Sequence, residues 1–231
     1  MQTRTQKIVF FGGLAVIIPL TLVAIVPLVF ALFNSPGIKT EPIDNSGAKA
    51  ATTEVDGHWV VSNQMGKNAT SAGFTFRELL PGDERVTSGS TPAVTGEMTI
   101  EAGTLTAGEV TVDMTNIVTD RDVRDVNVRR SILHTEEYPE ATFVLTEPVD
   151  VSQLPDDGSI GTVTLTGDMT IHGETNTITQ EFNALRTEDN VIVHADIPFN
   201  RLDYGVETPE FVAAKIAEEG EINIRLKMDK Q

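Results

Sequence analysis

The side chains that most often carry chemistry are present in this chain, but not in a catalytic or metal-binding arrangement. The four histidines, His58, His134, His172 and His194, form no His-x-His or His-x-x-x-His pair. Cysteine is absent, which excludes disulfides and cysteine-ligated metal sites. No Gly-x-Ser-x-Gly elbow or phosphate-binding glycine-rich loop occurs. We therefore predict no metal site, no catalytic residues and no covalent cofactor. With 34 acidic residues in the chain, a catalytic pair of carboxylates stays an open alternative.

The charge is strongly acidic and unevenly distributed. Every Asp and Glu lies at or after Glu41, whereas residues 1–40 contain only Arg4, Lys7 and Lys39 as charged residues. The remainder thus holds 17 − 3 = 14 basic and 34 acidic residues, a net charge of −20. Binding to a phosphate backbone needs a basic surface, so we predict that nucleic acid is not a partner.

The elements that would position any site are alternating strands, most clearly in residues 162–175. Four apolar residues of this run share one face: Val163, Leu165, Met169 and Ile171. The opposite face is rich in threonine, as the two-residue period of a half-buried strand allows. Gly167 interrupts the apolar face and predicts a bulge or corner, and His172-Gly173 predicts a turn.

The same alternation recurs along the chain. Further strands are predicted near His58–Asn63, Ser71–Leu80, 96–100, 110–114, 142–145, 178–182, 191–199 and 222–228. Short strands separated by turn residues predict an all-β antiparallel sandwich or barrel. An interior of about eight strands is either filled by side chains or open to one small ligand, and the pattern alone leaves both open.

Two segments interrupt the strands and predict short helices. Thr119–Leu133 is dense in Arg and Asp, and we predict a loop with a helical turn in which Arg124 and Asp125 pair. Thr208-Pro209 resembles an N-cap followed by proline at the first helical position, and Gly220 would end that helix.

The N-terminal segment is predicted to be a membrane anchor. Ile8–Phe33 contains no charged residue, and at about 1.5 Å per residue it is long enough to cross a ~30 Å hydrocarbon core. Arg4 and Lys7 precede it, so the positive-inside rule predicts a single-pass plasma-membrane protein with a cytoplasmic N-terminus and an external C-terminal domain. A cleaved signal peptide is the alternative, but the apolar run is longer than a signal core and no small-x-small site follows it.

Composition then changes between Asn34 and Glu54 to Pro, Gly, Ser, Ala and charged residues. These residues predict a linker that holds the domain off the membrane. The predicted organisation is a cytoplasmic N-terminus and transmembrane helix at 1–34, a linker at 35–54 and a barrel domain at 55–231.

Five motifs, in this order, resemble one known family, the YceI-like domain proteins of bacteria. They are Ala72–Glu78 (AGFTFRE), Val94–Ile100 (VTGEMTI), Val112–Met114 with Arg124-Asp125, Tyr138–Phe143 (YPEATF) and Gly167–Gly173 (GDMTIHG). The similarity extends from about Asp56 to Met228. It implies a lipocalin-like barrel of about eight strands with one or two short helices, preceded here by the transmembrane helix.

The resemblance also implies that the barrel binds a polyisoprenoid lipid such as a quinone, a polyprenol or a carotenoid. The ligand-binding residues would then be the large inward side chains: Phe74, Phe76, Met98, Val112, Met114, Phe143, Leu145, Leu165, Met169, Phe182 and Phe199.

Three functional hypotheses follow. The first is a membrane-anchored extracytoplasmic binding protein for an isoprenoid lipid. The second, compatible with it, is an accessory subunit of an integral-membrane respiratory complex, in which the barrel serves mainly as a docking module. The third is a lipid-modifying enzyme, which would need titratable groups converging inside the barrel. We predict that the protein is not an enzyme.

Overall fold

The computed structural model describes Thr21 and residues 37–80, 83–208 and 215–231. Apart from Thr21, the predicted anchor Ile8–Phe33 lies outside these residues. In the part that is described, no helix has the length and apolar character needed to cross a membrane.

The described residues form one sheet of 11 strands with antiparallel pairing throughout. The strands are β1 Gly57–Val61, β2 Ser71–Leu80, β3 Asp83–Thr91, β4 Val94–Glu101, β5 Thr104–Asp113, β6 Glu140–Leu145, β7 Val149–Asp150, β8 Ile160–Ile171, β9 Glu174–Thr187, β10 Asn190–Asn200 and β11 Lys215–Lys230. Helix α1 covers Asp122–Asn127 and continues into a wider helical turn at Val128–Ile132. Short 3₁₀ turns occupy Met114–Asn116 and Arg201–Tyr204.

Eight of these strands close into a barrel, which confirms the predicted fold. The closed ring runs β1-β4-β5-β6-β8-β9-β10-β11 and returns to β1. Strand β1 completes it, because Trp59 pairs with Met98 of β4 on one side and Val61 pairs with Met228 of β11 on the other.

The two ends of the barrel differ because β11 changes its pairing partner along its length. Its last residues, 228–230, pair with β1, whereas residues 215–225 pair with β2, which turns back as β3. A segment between β5 and β6 attaches to the hairpin through a bridge between Val118 and Ser90. We call the end at β1 the closed end and the end at the β2–β3 hairpin and α1 the open end.

Side chains fill the closed end. Trp59 is 1% exposed, and its indole N–H donates to the carbonyl oxygen of Val55 at 2.8 Å. Around it pack buried apolar residues of four strands: Val94, Ile100, Leu105, Val191, Leu226 and Met228. A buried indole needs such a hydrogen-bond partner, and here the chain just before β1 supplies it.

Two sequence predictions about secondary structure were wrong. Strand β3 was missed, because its sequence DERVTSGST lacks an alternating apolar face. The helix predicted for Thr208–Gly220 does not extend over its last part, since Lys215 begins β11; residues 209–214 lie outside the described ranges. Lys215 and Ile216 pair with β2, and the strand pairs again with β2 and β10 from residues 219–220 after an irregularity. Gly220 faces Phe76 rather than capping a helix.

Gly167 is neither a bulge nor a break in the ladder. It pairs in continuous register with Leu145 of β6 and Ile178 of β9. A Cβ atom there would lie 2.4 Å from Cζ of Phe143 and 2.6 Å from the carbonyl oxygen of Val144. The glycine is therefore required because the Phe143 ring and the neighbouring backbone leave no room for a side chain. The predicted His172-Gly173 turn is confirmed: both residues have positive φ, 54° and 80°, as a two-residue type I′ hairpin loop requires.

Residues 37–56, most of the predicted linker, lie along the outside of the barrel, and we call them the strap. Gly37 forms a bridge with Ser88 of β3, and Ala51 forms one with Glu188 at the β9–β10 turn. Between these points the Arg225 guanidinium donates to the carbonyl oxygens of Glu41 and Pro42. The strap buries outward-facing side chains of β10 and β11, so that Asn223 is fully buried and His194 is 5% exposed.

Candidate functional site

A large cavity occupies the open end of the barrel. Its volume is about 860 Å³, within the range of roughly 300–1,000 Å³ that small-molecule sites occupy. Strand β2 supplies Phe74 and Phe76 to its wall, and the opposite side is formed by α1 and the turn after it, including Val128 and Ile132. The ends of β8 and β10 complete the wall with Ile171 and Phe199.

A second, narrower cavity of about 130 Å³ continues into the barrel lumen. Five residues line both cavities and mark their junction: Ala72, Val112, Ala141, Ile171 and Ile222. The lumen beyond them is lined by apolar side chains such as Leu105, Leu165 and Met228. The two cavities adjoin at these residues, and we call them together the passage, which extends from the open end toward the packed core around Trp59.

The structure brings all of the predicted ligand-binding residues to this passage. The larger cavity is lined by Phe74, Phe76, Val112, Met114 and Phe199. The lumen is lined by Met98, Val112, Phe143, Leu145, Leu165, Met169 and Phe182. Alternation found ten of the eleven because they lie on the inward faces of their strands, and Met114 follows β5 directly, in a 3₁₀ turn.

Aromatic rings cover much of the wall. Phe76 stands edge-on to Phe199 at 5.8 Å between ring centroids, and Phe199 stacks on Tyr204 at 5.0 Å. Deeper in, Phe143 and Phe182 are 6.3 Å apart. Burial raises the pKa of the Tyr204 hydroxyl, so it stays protonated at neutral pH.

Several hydrogen-bonded polar side chains line the large cavity. The Thr87 hydroxyl donates to a carboxylate oxygen of Glu78 at 2.7 Å. Arg201 is 9% exposed and donates to the carbonyl oxygens of Val206 at 2.6 Å and Ala217 at 3.2 Å. These groups provide hydrogen-bonding partners for a polar head, whereas the narrow lumen suits an apolar tail.

Sequence reasoning missed Glu78, Thr87 and Arg201 as parts of the site. Glu78 follows the phenylalanines of β2 on the same face at a two-residue spacing, and this signal was available. Thr87 lies on the unpredicted β3, and Arg201 follows β10 in a 3₁₀ turn, so neither belonged to a predicted face.

The charged segment before β6 forms a helix, as predicted, but its ion pairs differ from the prediction. Arg124 pairs with Asp120 one turn earlier instead of with Asp125. Asp125 is buried and accepts hydrogen bonds from the backbone N–H and the hydroxyl of Thr119, both at 2.6 Å. Arg129 donates to the carbonyl oxygen of Ile117 at 2.7 Å. These bonds fix α1 over the open end, where Arg121, Asp122 and Arg124 line the cavity.

His172 lies outside the passage in an aromatic cluster. Its ring centroid is 4.3 Å from that of Tyr138 and 5.6 Å from that of His134. Within the described ranges, no three histidine or acidic side chains are grouped so that they could hold a metal ion.

Comparison with known proteins places this architecture. The family model of the YceI-like domain matches residues 63–228. A domain from Saccharophagus degradans, described as polyisoprenoid binding and implicated in plant cell wall breakdown, is 16% identical, with 75% of this chain and 98% of that chain covered and a TM-score of 0.56. BcnA of Burkholderia cenocepacia is 19% identical, with 80% and 99% covered and a TM-score of 0.52. Comparison with curated protein sequences found no match. The family match covers most of the sequence and both solved structures share its fold, so the chain belongs to the YceI-like domain family.

Proposed function

We propose that this protein binds an isoprenoid lipid, with the tail in the barrel lumen and the polar head at the open end. The observation that carries the proposal is that the large cavity and the apolar cavity of the lumen adjoin across five shared wall residues, with Glu78, Thr87 and Arg201 on the wall of the large one. Each Å² of tail removed from water contributes about 25 cal/mol, so a long tail can bind with few polar contacts. The related domain from Saccharophagus degradans is described as polyisoprenoid binding, which supports the same ligand class here.

We further propose that the protein is anchored in the plasma membrane through residues 8–33, with the barrel outside. The support is the uncharged run Ile8–Phe33 and the two basic residues before it. An anchored binding protein would hold its lipid close to the bilayer from which that lipid must come. Protease treatment of intact cells tests this orientation, because an external barrel is digested and a cytoplasmic one is protected.

Lipid binding can be tested with a variant in which a large side chain blocks the passage. Ala141 is 9% exposed and lines both cavities, so Ala141→Trp should place an indole across their junction. We expect the isoprenoid recovered per mole of purified protein, measured by mass spectrometry of an organic extract, to fall about tenfold, the equivalent of about 1.4 kcal/mol of binding.

The matched control is Val144→Trp on the same strand, where the side chain faces outward and is 45% exposed. This variant should retain the lipid content of the wild type. An absence of isoprenoid from the wild-type extract, or equal content in both variants, would contradict the proposal.

The alternative, in which the barrel docks onto a respiratory membrane complex, stays a hypothesis. Purification in a mild detergent tests it, because an accessory subunit should bring down stoichiometric integral-membrane partners. The expectation that the protein is not an enzyme likewise stays a prediction.

A further inference from the structure

Exposed apolar side chains are concentrated along one edge of the open end. The described residues include nine large apolar side chains that are exposed. Five of them lie near the open end: Ile38 at the start of the strap, Val86 on β3, Val118 in the segment bridged to β3, and Val123 and Val126 on α1. We call these five residues the rim patch. Single exposed apolar residues are ordinary, but a cluster beside a lipid-sized cavity indicates a contact surface.

Backbone hydrogen bonds hold two members of the rim patch, Ile38 and Val118, against β3, which carries a third, Val86. The Ile38 N–H donates to the carbonyl oxygen of Ser88, and Val86 lies two residues from Ser88 on the same face of β3. Val118 exchanges two backbone hydrogen bonds with Ser90, two residues further along that face. On α1, Val123 is 75% exposed and also lines the cavity, and Val126 follows three residues later on the same side of the helix.

The chain reaches the barrel at this same edge. Gly37 lies against Ser88 so closely that an added Cβ atom would be 2.0 Å from the Ser88 carbonyl oxygen. The uncharged run ends at Phe33, four residues earlier, and four residues of extended chain span at most about 14 Å. If that run lies in a bilayer, the bilayer surface is within reach of the rim patch.

The charge of this region suits a phospholipid surface better than the rest of the domain does. Residues 120–130 contain four arginines and three aspartates, 4 − 3 = +1, whereas residues 41–231 as a whole carry −20. One of the aspartates, Asp125, is buried in bonds to Thr119, and another, Asp120, pairs with Arg124. Arg130 is exposed four residues after Val126, and guanidinium groups bind phosphate well. Arg121 is also exposed but pairs with Asp120.

We infer that the rim patch docks on the phospholipid bilayer, with Val123 and Val126 at the depth of the lipid head groups and the cavity opening toward the membrane. This inference rests on the proposed lipid binding, because it assigns the route by which a lipid passes between the bilayer and the barrel. In this arrangement the strap positions the open end at the membrane surface. The predicted role of residues 35–54, holding the domain off the membrane, would then be reversed.

The absence of cysteine permits a direct test on the full-length protein. Val123→Cys and Ile160→Cys each introduce one thiol for an environment-sensitive fluorophore. Ile160 is the matched control, because it is an exposed apolar residue, 38% exposed, at the start of β8, the end of that strand away from the cavity. Both proteins are reconstituted in vesicles of phosphatidylcholine and phosphatidylglycerol that contain a head-group-proximal spin-labelled quencher lipid.

Docking predicts several-fold stronger quenching by the spin-labelled lipid at position 123 than at position 160. Equal quenching at the two positions would overturn the inference. Protection of position 123 from a water-soluble quencher without quenching by the lipid would also overturn it, and would indicate a protein partner instead.

The same preparations separate this inference from the proposed function. Isoprenoid in the extract together with equal quenching refutes docking alone, whereas strong quenching at position 123 without isoprenoid refutes the proposed ligand and retains the docking surface. A further variant, Val123→Asp with Val126→Asp, should reduce the transfer rate of a fluorescent isoprenoid from vesicles to the protein about tenfold. Both side chains are exposed, so the circular dichroism spectrum should not change; an unchanged transfer rate in this variant would count against docking.

Discussion

The two ends of the barrel share most of their strands, but only the closed end is filled by side chains. At the closed end β1 pairs with both β4 and β11, and Trp59 fills the interior at 1% exposure. At the open end β11 pairs with β2, and a cavity of about 860 Å³ remains. The change of partner along β11 therefore separates an end with a packed core from an end that encloses a cavity.

The forces that hold the two ends also differ. Interdigitated apolar side chains stabilise the closed end, as in any dense protein interior. At the open end, the structure around the cavity depends on side chains that bind backbone groups, such as Arg201 to Val206 and Asp125 to Thr119. Side chains around a cavity lack packing partners on one side. These hydrogen bonds hold the surrounding segments in place instead.

Trp59→Ala should show the largest difference between the ends. Removing a fully buried indole leaves a large hole in the packed core and should lower the free energy of unfolding by about 3–5 kcal/mol. Urea denaturation followed by far-ultraviolet circular dichroism measures this loss. Phe74→Ala at the cavity should cost clearly less, because that ring already faces empty space; equal losses would refute the contrast.

Arg201→Met tests whether hydrogen bonds hold the open end. The apolar stem is kept, but carbonyl groups of Val206 and Ala217 lose their donor, which should cost about 2–3 kcal/mol. Hydrogen exchange should accelerate around residues 201–206 and 215–217 while β1 stays protected. The control, Arg130→Met, removes an exposed guanidinium and should change stability by less than about 0.5 kcal/mol. Uniform acceleration across the barrel would show that the ends are not independent.

Gly167→Ala should perturb the wall between the two ends. The new methyl group would overlap Phe143, and such overpacking costs about 1–3 kcal/mol. Phe143→Leu in the same chain should recover part of the loss, because it removes the overlapping ring but leaves the Val144 carbonyl oxygen 2.6 Å from the new methyl group. Additive losses in the double variant, measured by urea denaturation, would assign the cost to the backbone instead.

Acidification should have the smallest effect on the free energy of unfolding, and this effect should arise at His194, which the strap covers. Burial lowers the pKa of His194 below its ordinary value of 6.5, with Asp196 opposing the shift and Arg225 and Lys39 adding to it. Below pH 6.5 the unfolded chain binds a proton that the folded chain does not. The free energy of unfolding should therefore be unaffected by this group above about pH 7 and should fall on acidification, by at most about 1.4 kcal/mol per pH unit.

One variant isolates this contribution in unfolding measurements at several pH values. His194→Gln should flatten the dependence between pH 7 and pH 5. An unchanged slope in His194→Gln would show that this histidine is not the responsive group.

Much of the barrel wall was predictable because its strands alternate. Val163, Leu165 and Met169 needed only the two-residue period to be placed inside. Strand β3 gave no such signal, since its inward positions are Thr87, Gly89 and Thr91 rather than large apolar residues. The predicted pair of Arg124 with Asp125 failed because adjacent residues on a helix do not face each other, whereas Asp120 lies one turn from Arg124.

The sequence by itself determined the all-β class, the inward face of most strands, the turn at His172-Gly173 and the large side chains that line the passage. These properties depend on local spacing and residue type, which the chain carries in order. Only the tertiary structure decided that β11 pairs with two different strands, that Gly167 accommodates Phe143, and that the strap lies on the barrel and buries His194. Those features arise from contacts between residues far apart in the chain, whose partners no local pattern specifies. The open end, with its cavity and Arg201, is the largest feature that depends on such distant contacts.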